Sequence, residues 1–505
     1  MSKKLFKKIL VANRGEIAVR IIRACKLLDI PTVAIYSTAD KNALHTLLAD
    51  EAVEIGPPPP RESYLDFKKI VETARAHKCD AIHPGYGFLS ENPLFPIACE
   101  KARLTFIGPP AEAMRLLGNK VQSRIKMATA GVPIIPGMKA SGDNIFQFET
   151  AAEEAGYPVL IKAAAGGGGK GMRIVHRPED LMPSVEAARR EAKNAFGDDT
   201  VYLEKYIENP RHIEFQILAD DHGNTIHLFE RECSVQRRHQ KIIEETPSAA
   251  LTPALRAQMG NAAVRVANAA GYRNAGTVEF LLDKTGSFYF LEMNTRIQVE
   301  HPVTEMTTGV DLVVEQIRIA AGEKISDYVL EAKQRGHAIE CRVYAEDAEN
   351  NFLPSSGEIL FYQEPVGPGI RVDSGVELGT VVGVEYDPIL AKLIVHAPTR
   401  ELAISKMIQA LKEYKFLGIK TSRKFMIDVL SHPEFKAGNT YTNFIEKHFS
   451  DRTVDVVPAL ELAAAVSTVA MAQGSKAKPN TVKQAKRLSP WQTIGPWEIG
   501  TRITK

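Results

Sequence analysis

Residues 291–300 alternate polar and mostly apolar side chains over ten positions. Because successive side chains of a strand point to opposite faces of a sheet, the pattern predicts a strand. One face of this strand would carry five polar side chains, namely Glu292, Asn294, Arg296, Gln298 and Glu300. Residues 277–282 predict a preceding strand, joined to the first through the turn at 283–287. Such a hairpin would bring Glu279 close to Glu292.

This polar face combines carboxylates, an amide and a guanidinium group. Two carboxylates and an amide oxygen on rigid strands suit Mg²⁺ bound together with nucleotide phosphates. The far end, with Arg296 and Glu300, would then hold a small anion and a base. The alternative is a solvated amphipathic strand. Residues 301–309 favour the functional interpretation, because they are dense in polar groups and show neither helix nor strand periodicity.

A second feature is the run of four glycines Gly166, Gly167, Gly168 and Gly169, followed by Lys170 and Gly171. Consecutive backbone N–H groups without side chains can close over phosphates. The run is not a Walker A loop, because Ala164 and Gly171 occupy positions where that motif needs Gly and Ser or Thr. Predicted strands at 159–162 and 172–175 flank the loop, which indicates a mobile hairpin lid over a nucleotide. The alternative is a flexible surface hairpin.

Basic side chains accompany both features. Lys120, Lys162, His212, His239 and Lys241 lie on or beside the predicted strands and loops. A single lysine or histidine is usually solvated or structural. Several of them around one glycine loop and one row of carboxylates favour phosphate binding.

The remaining pattern predicts several domains of mixed architecture. The chain of 505 residues opens with a strand at 8–12 and a helix after Gly15, and further apolar runs near 32–36, 81–82 and 106–108 predict a parallel sheet with helical crossovers. Asn119 precedes a predicted helix, and an α+β segment follows from about 337 to 444. Residues 458–473 predict an apolar helix, and the only two tryptophans, Trp491 and Trp497, follow it.

Charge and composition exclude several function classes. The 63 basic and 61 acidic side chains leave a formal charge of +2, so no net field recruits nucleic acid or a membrane surface. Five scattered cysteines without Cys-x-x-Cys spacing favour a reducing compartment. No segment has about 18 uninterrupted apolar residues, and the apolar run at 9–12 is too short for a signal peptide. We therefore expect a cytoplasmic protein.

The chain resembles the biotin carboxylases, which are ATP-grasp ligases, over about residues 5–450. The segments that carry the resemblance are VANRGEIA at 11–18, HPGYGFLSEN at 83–92, the glycine loop, EKY at 204–206, RRHQK at 237–241, EMNTRIQVEHP at 292–302 and ECR at 340–342. The resemblance implies an α/β and α+β fold in four parts. These are a Rossmann-like N-terminal domain at 1–118, an ATP-grasp domain at 119–333 with a mobile lid at about 134–205, an α+β biotin carboxylase C-terminal domain at 334–448, and a helical tail at 449–505.

The resemblance also implies a role for individual residues. The implied ATP-binding residues are Lys120, Lys162, Gly166, Gly167, Gly168, Gly169, Glu204, Lys205, His212, Gln236 and His239. The implied ligands of Mg²⁺ or Mn²⁺ are Glu279, Glu292 and Asn294. The implied bicarbonate and biotin pocket consists of Lys241, Arg296, Gln298, the backbone of Val299, and Arg342. Glu300 would be the general base, and Arg342 would stabilise the enolate form of biotin.

The implied reaction is carboxylation of biotin with bicarbonate and ATP through carboxyphosphate, which gives N-carboxybiotin, ADP and phosphate. No Met-Lys-Met acceptor sequence occurs in the chain, so we expect the biotin on a separate carrier protein. YDPILAKL at 386–393 and the Trp-containing tail resemble α-subunits of acyl-CoA carboxylases of the acetyl- or propionyl-CoA type. The resemblance thus implies a carboxyltransferase partner and a homodimer.

Three alternatives remain at this point. The first is the biotin carboxylase subunit of a pyruvate or other 2-oxoacid carboxylase. The second is a different ATP-grasp ligase, such as a purine-biosynthetic carboxylase or the synthetase half of carbamoyl phosphate synthetase. The third is a nucleotide-sensing scaffold, which would bind ATP without hydrolysing it. Retention of Glu300, Arg296 and Arg342 disfavours the scaffold.

Overall fold

A computed structural model describes residues 5–138, 145–164 and 172–450. The predicted glycine loop and the predicted tail helix with its two tryptophans lie outside the described residues. Among the described residues we find no helix whose length and apolar character would let it cross a membrane.

The N-terminal part alternates strands and helices around a parallel sheet. Its elements are β1 (Ile9–Val11), α1 (Gly15–Leu27), β2 (Thr32–Ser37), α2 (Leu44–Leu48), β3 (Glu51–Gly56), α3 (Phe67–Ala76), β4 (Ala81–His83), α4 (Leu94–Lys101), β5 (Thr105–Phe106) and α5 (Ala111–Gly118). The strands pair in the order β3-β2-β1-β4-β5, all parallel. The predicted parallel sheet with helical crossovers is therefore confirmed.

A small three-stranded sheet follows. Its region comprises α6 (Lys120–Thr129), α7 (Ile145–Ala155), β6 (Val159–Ala163), β7 (Arg173–Val175), α8 (Leu181–Phe196) and β8 (Val201–Lys205). Asn119 accepts a hydrogen bond from the backbone N–H of Gln122, so its side chain caps α6. β6 pairs with β7 and β8 in antiparallel fashion, which confirms the predicted hairpin strands on either side of the glycine loop. Apolar side chains of α7 and α8 pack against this sheet.

The site lies on an eight-stranded antiparallel sheet with the order β13-β12-β9-β10-β11-β14-β21-β19. The last three strands in this order are β14 (His337–Tyr344), β21 (Ile389–Ala397) and β19 (Ile370–Ser374). Its first five strands are β9 (Arg211–Ala219), β10 (Thr225–Arg237), β11 (Gln240–Thr246), β12 (Asn274–Leu282) and β13 (Phe288–Asn294). The helices of this region are α9 (Pro253–Ala269), α10 (His301–Thr308), α11 (Leu312–Ala320) and α12 (Asp327–Leu330). In the β12–β13 hairpin Glu279 stands directly opposite Glu292, as the alternation predicted.

Two predictions for this region are wrong. The predicted strand at 291–300 ends at Asn294, and residues 301–308 form the helix α10 although they lack helical periodicity. The chain leaves the sheet because Ile297 is buried in the core that contains α1 and α11. α10 is buried on nearly all sides, so it needs no amphipathic pattern.

The C-terminal part completes the large sheet and adds helices. Its elements are β14 (His337–Tyr344), β15 (Glu346–Asp347), β16 (Leu353–Pro354), β17 (Gly357–Glu358), β18 (Phe361–Gln363), β19 (Ile370–Ser374), β20 (Val381–Val382), β21 (Ile389–Ala397), α13 (Arg400–Glu413), β22 (Lys415–Leu417), α14 (Arg423–Ser431), α15 (Pro433–Lys436) and α16 (Phe444–Phe449). Apolar residues of α13 and α14 pack on β14 and β21. This α+β arrangement agrees with the fold class predicted from the sequence.

Buried ion pairs connect the N-terminal part, α10 and the C-terminal strands. Arg20 of α1 contacts Glu305 at 2.8 Å, and Arg371 of β19 contacts the other oxygen of Glu305 at 2.7 Å. The fully buried Lys392 of β21 lies 3.2 Å from Glu16 of α1, and it donates to the carbonyl of Val299 at 2.9 Å. The backbone beside Glu300 is thus held from β21.

Lys392→Met tests this connection, because it leaves Glu16 buried without its cation. Removing one partner of a buried ion pair typically costs about 3–5 kcal/mol, and we expect a loss of that size in the free energy of unfolding, measured from urea midpoints. The control is Lys420→Met, which removes an ion pair with Asp347. This pair lies at the surface, since the Lys420 side chain is 59% exposed. Screened surface pairs contribute little. Similar losses in both variants would contradict the role of Lys392.

Candidate active site

The ammonium group of Lys241 lies at the centre of a cluster of buried carboxylates. Its Nζ atom donates to Glu214 Oε2 at 2.6 Å, to Glu279 Oε1 at 2.8 Å and to Glu300 Oε1 at 2.8 Å. These acids come from β9, from β12 and from the residue before α10. Burial alone would lower the pKa of Lys241, but the three carboxylates outweigh it and raise that pKa well above its usual value.

Glu300 is the N-terminal flanking residue of α10 and is buried. Its second carboxylate oxygen accepts from Arg342 Nη2 at 2.8 Å. Burial favours the protonated acid, but Lys241, Arg342 and Arg231 overcome this and hold the pKa of Glu300 below its usual range. Glu300 is thus an ionised carboxylate in a buried site, which is what a proton acceptor requires at neutral pH.

Arg342 connects two carboxylates of different character. Besides Glu300, it contacts Glu244 Oε1 through Nε at 2.6 Å and through Nη2 at 2.5 Å. The pKa of Glu244 is raised to about 7, mainly by burial, against the attraction of Arg342. The pKa of Arg342 is raised well above its usual value because Glu244 and Glu300 outweigh its burial. Arg342 therefore stays a cation at the edge of the cluster.

Glu279 and Glu292 form a like-charged pair across the β12–β13 hairpin. Glu279 accepts from Asn294 Nδ2 at 2.8 Å and from Gln298 Nε2 at 2.7 Å, and His212 Nε2 lies 3.1 Å from its other oxygen. The side chain of Glu292 makes no hydrogen bond or ion pair with another described residue. Burial and the nearby Glu279 raise the pKa of Glu292.

An unpaired carboxylate beside a second one is a site that a divalent cation fits, since the cation removes the repulsion and supplies the missing partner. Glu292 and Glu279 are therefore residues that could hold a metal ion. Asn294 differs, because its side-chain oxygen already accepts from Arg296 Nη2 at 3.0 Å.

The segment 295–300 brings Arg296, Gln298 and Val299 to the same cluster without strand geometry. Arg296 is half-buried, and its Nε lies 3.6 Å from Glu91 Oε2. Gln298 is buried against Glu279, and the carbonyl of Val299 accepts from Lys392. Arg296 and Val299 are thus the partly accessible residues of this segment, whereas Gln298 and Glu300 are buried.

Residues expected near the nucleotide phosphates occupy two places. Lys162 of β6 lies 2.7 Å from Glu204 Oε2, and Arg124 of α6 contacts the other oxygen of Glu204 at 2.6 Å. Lys120 is the first residue of α6, where backbone N–H groups are unsatisfied and favour anions. The positive charge of Lys120 partly opposes the rise in the pKa of Glu292. Lys120 therefore lies within electrostatic range of the carboxylate pair.

Other predicted nucleotide residues do not contact this cluster through their side chains. Lys205 Nζ donates to the carbonyls of Gly156 and Tyr157 at 2.8 and 3.0 Å. His239 is exposed in the turn between β10 and β11, where its φ is +67°. Gln236 is buried and stands opposite Lys241 in that hairpin. The four glycines lie outside the described residues.

Four residues of the site were not predicted from the sequence. These are Arg231, Glu214, Glu244 and Lys392, and each is completely buried. Glu214 stands in a strand that alternates polar and apolar residues from His212 to Ile217, so its position was visible but its role was not. An ionisable residue inside a strongly apolar strand is a signal that could have identified Lys392 in β21. Arg231 and Glu244 lie in strands with several other charged residues, so this signal does not mark them.

Three family models match this chain. The model described as "Biotin carboxylase, N-terminal domain" matches residues 5–114, "Carbamoyl-phosphate synthase L chain, ATP binding domain" matches 119–328, and "Biotin carboxylase C-terminal domain" matches 340–447.

Named relatives agree with these matches. The α-subunit of mitochondrial methylcrotonoyl-CoA carboxylase from Mus musculus is 46% identical over 98% of this chain and 68% of its own length. One of the pyruvate carboxylase subunits of Methanothermobacter thermautotrophicus is 52% identical over 88% of this chain and 90% of its own. Among solved structures, the biotin carboxylase domain dimer of Hydrogenobacter thermophilus 2-oxoglutarate carboxylase, in complex with MgADP, ADP and bicarbonate, has a TM-score of 0.84 at 49% identity and covers 88% of this chain and 98% of that one. This chain belongs to the biotin carboxylase family of ATP-grasp ligases.

Proposed function

We propose that this chain carboxylates biotin on a separate carrier protein, with bicarbonate and ATP as co-substrates and Glu300 as the general base. The observation that carries the proposal is the buried carboxylate of Glu300, which Lys241 and Arg342 keep ionised at 2.8 Å each. A buried base needs such cations, since desolvation would otherwise protonate it. The matches to the biotin carboxylase family models and the bicarbonate in the complex of the H. thermophilus relative support bicarbonate as a substrate.

In the first step, Lys241, Arg296, Gln298 and the backbone of Val299 hold bicarbonate beside Glu300. Glu300 accepts the bicarbonate proton, and the oxygen so exposed attacks the γ-phosphorus of ATP. The bond from that phosphorus to ADP breaks, which gives carboxyphosphate. Lys120, Lys162, Glu204, Lys205, His212, Gln236, His239 and the glycine loop would hold the nucleotide. Catalysis then consists of positioning and charge stabilisation.

In the second step, carboxyphosphate breaks down to CO₂ and phosphate. The phosphate takes the N1′ proton of biotin, and the resulting nitrogen attacks CO₂ to give N-carboxybiotin. Arg342 holds the oxyanion of the biotin ring while this charge exists.

Glu279 and Glu292, with Asn294, would hold Mg²⁺ or Mn²⁺. When bound, such an ion neutralises charge on the nucleotide phosphates. The carboxylates of this chain contribute by fixing the ion against the strands β12 and β13.

For the complex, we propose the biotin carboxylase subunit of a cytoplasmic acyl-CoA carboxylase of the acetyl- or propionyl-CoA type. Its partners would be a biotin carrier, a second copy of the chain and a carboxyltransferase. The match to a methylcrotonoyl-CoA carboxylase subunit over 98% of the chain supports this class. The alternative is a pyruvate or other 2-oxoacid carboxylase, which relatives over 88% of the chain support. We also propose domain boundaries near 118, 333 and 448, which the family-model matches over 5–114, 119–328 and 340–447 support.

The reaction is tested by measuring phosphate release from ATP with purified chain. We expect release to require both bicarbonate and Mg²⁺ and to increase with free biotin. Release that is unchanged when bicarbonate is removed would contradict the proposal.

The acyl acceptor is tested by pull-down of carrier and carboxyltransferase chains, followed by assays with acetyl-CoA, propionyl-CoA and pyruvate.

Glu300→Gln keeps the size of the side chain and removes the base. We expect kcat of bicarbonate-dependent phosphate release to fall by roughly 10² to 10⁴, the usual range for general-base catalysis, while the Kd of ATP changes little. The control is Glu72→Gln, because Glu72 is exposed on α3. Unchanged kcat in Glu300→Gln would exclude Glu300 as the base.

Arg342→Ala separates the two steps, since the proposed partner of Arg342 is the biotin oxyanion. We expect biotin carboxylation to fall more than bicarbonate-dependent ADP formation does, with both measured in the same samples. Equal loss of the two reactions would be evidence against this role.

Glu292→Gln tests the metal site without catalysis. In EDTA we expect a higher Tm than in the wild type, because the substitution removes the repulsion from Glu279. When ADP is present, Mg²⁺ should stabilise the wild-type protein further, and this further stabilisation should be lost in Glu292→Gln. For a ligand at about 100 times its Kd, such stabilisation is about 2.7 kcal/mol. A Mg²⁺-dependent Tm increase as large as that of the wild type would refute the assignment.

A further inference from the structure

Arg231 of β10 is completely buried, and every one of its five N–H donors has an acceptor. The acceptors are Glu214 Oε1 at 2.5 Å, Gln216 Oε1 at 2.8 Å, Gln298 Oε1 at 2.9 Å, Thr304 Oγ1 at 3.0 Å and Thr277 Oγ1 at 3.1 Å. These residues belong to β9, β12, the segment before α10, and α10 itself. Arg231 therefore joins the sheet to the segment that contains the proposed base.

The contact with Gln298 determines the orientation of its amide. A guanidinium group only donates, so the Gln298 oxygen must face Arg231, and a carboxylate only accepts, so the amide nitrogen must face Glu279 Oε1 at 2.7 Å. One N–H of this amide goes to Glu279. The second N–H has no partner among the described residues and remains available to an anion beside Lys241.

A second chain of contacts passes through Glu214. Its Oε1 accepts from Arg231 at 2.5 Å, and its Oε2 accepts from Lys241 at 2.6 Å. Because both oxygens are occupied, Arg231 fixes the carboxylate plane that holds the ammonium group of Lys241. Arg231 thus fixes both Gln298 and Lys241 and has no donor left for a substrate.

We propose that Arg231 is a positioning residue for bicarbonate: it orients the Gln298 amide towards the anion and, through Glu214, holds the charge of the Lys241 ammonium group in place beside it. This inference rests on the proposed function. We therefore expect substitution of Arg231 to weaken bicarbonate binding more than ATP binding.

The test is Arg231→Lys, which keeps the charge but cannot contact Glu214 and Gln298 in the planar fork geometry of arginine. We expect the KM for bicarbonate in phosphate release to rise at least tenfold, with the KM for ATP within twofold of the wild type. The matched control is Arg256→Lys. Arg256 of α9 donates two hydrogen bonds of 2.8 Å each to Glu230, which is the neighbour of Arg231 on β10. Arg256 contacts none of the proposed bicarbonate residues. Its KM for bicarbonate should not change.

A second measurement shows whether Arg231 acts through Gln298. In a Gln298→Ala background, we expect Arg231→Lys to raise the KM for bicarbonate by a smaller factor than in the wild type, since the route through Gln298 is already removed and only the route through Glu214 remains. Full additivity would overturn the route through Gln298. An equal rise in the KM for ATP and for bicarbonate, or a lower Tm with both values unchanged, would show a purely structural role.

If Arg231→Lys does not fold, the double variant Arg231→Met/Glu214→Gln removes both charges of the buried pair, a change that proteins often tolerate. Its KM for bicarbonate should exceed that of Glu214→Gln alone at least threefold, and equality would overturn the inference. Wild-type phosphate release that does not depend on bicarbonate would instead show that the proposed function itself is wrong.

Discussion

The site depends on one buried cation, Lys241, shared by three buried carboxylates. Each of these ions alone would be costly to desolvate, and the cluster forms because the ammonium group has three donors for three acids within 2.6–2.8 Å. Removing Lys241 would take a shared cation from all three carboxylates. The stability of the site therefore depends on the geometry of the whole cluster more than on any single ion pair. The cluster also connects three separate parts of the chain.

The fold supplies the rigid positions that this cluster needs. β9 and β12 hold Glu214 and Glu279 in register, β11 carries Lys241, and Glu300 precedes a helix that packs on β14 and β21 through Val303. Arg231 and Lys392 hold the connecting segment from two sides. The ionised carboxylate of Glu300, the ammonium group of Lys241 and the unpaired carboxylate of Glu292 are thus held on or beside rigid strands of one sheet, as preorganised catalysis requires.

The sequence predicted the parts of this site that local periodicity determines. Alternation placed Glu279 opposite Glu292, and the register of the hairpin confirms it. The same alternation wrongly extended the strand to Glu300. Ile297 is apolar because it is buried in the core, and Gln298 is polar because Arg231 and Glu279 bind its amide, so neither residue reflects strand geometry. Arg231 and Lys392 were missed, since their partners are distant in sequence and no spacing marks them. The pattern indicated a metal site and, at Arg296 and Glu300, a small anion and a base, whereas the other residue roles followed from the family resemblance.

The central claim is that the cations around Glu300 keep it ionised while it is buried. Infrared difference spectra between the wild type and Glu300→Gln, recorded with ¹³C-labelled glutamate over the pH range in which circular dichroism shows folded protein, would measure this directly. The account predicts that the difference spectrum contains only the ionised carboxylate band at every such pH above the usual glutamate pKa of about 4.3. A protonated carboxyl band at neutral pH would contradict it.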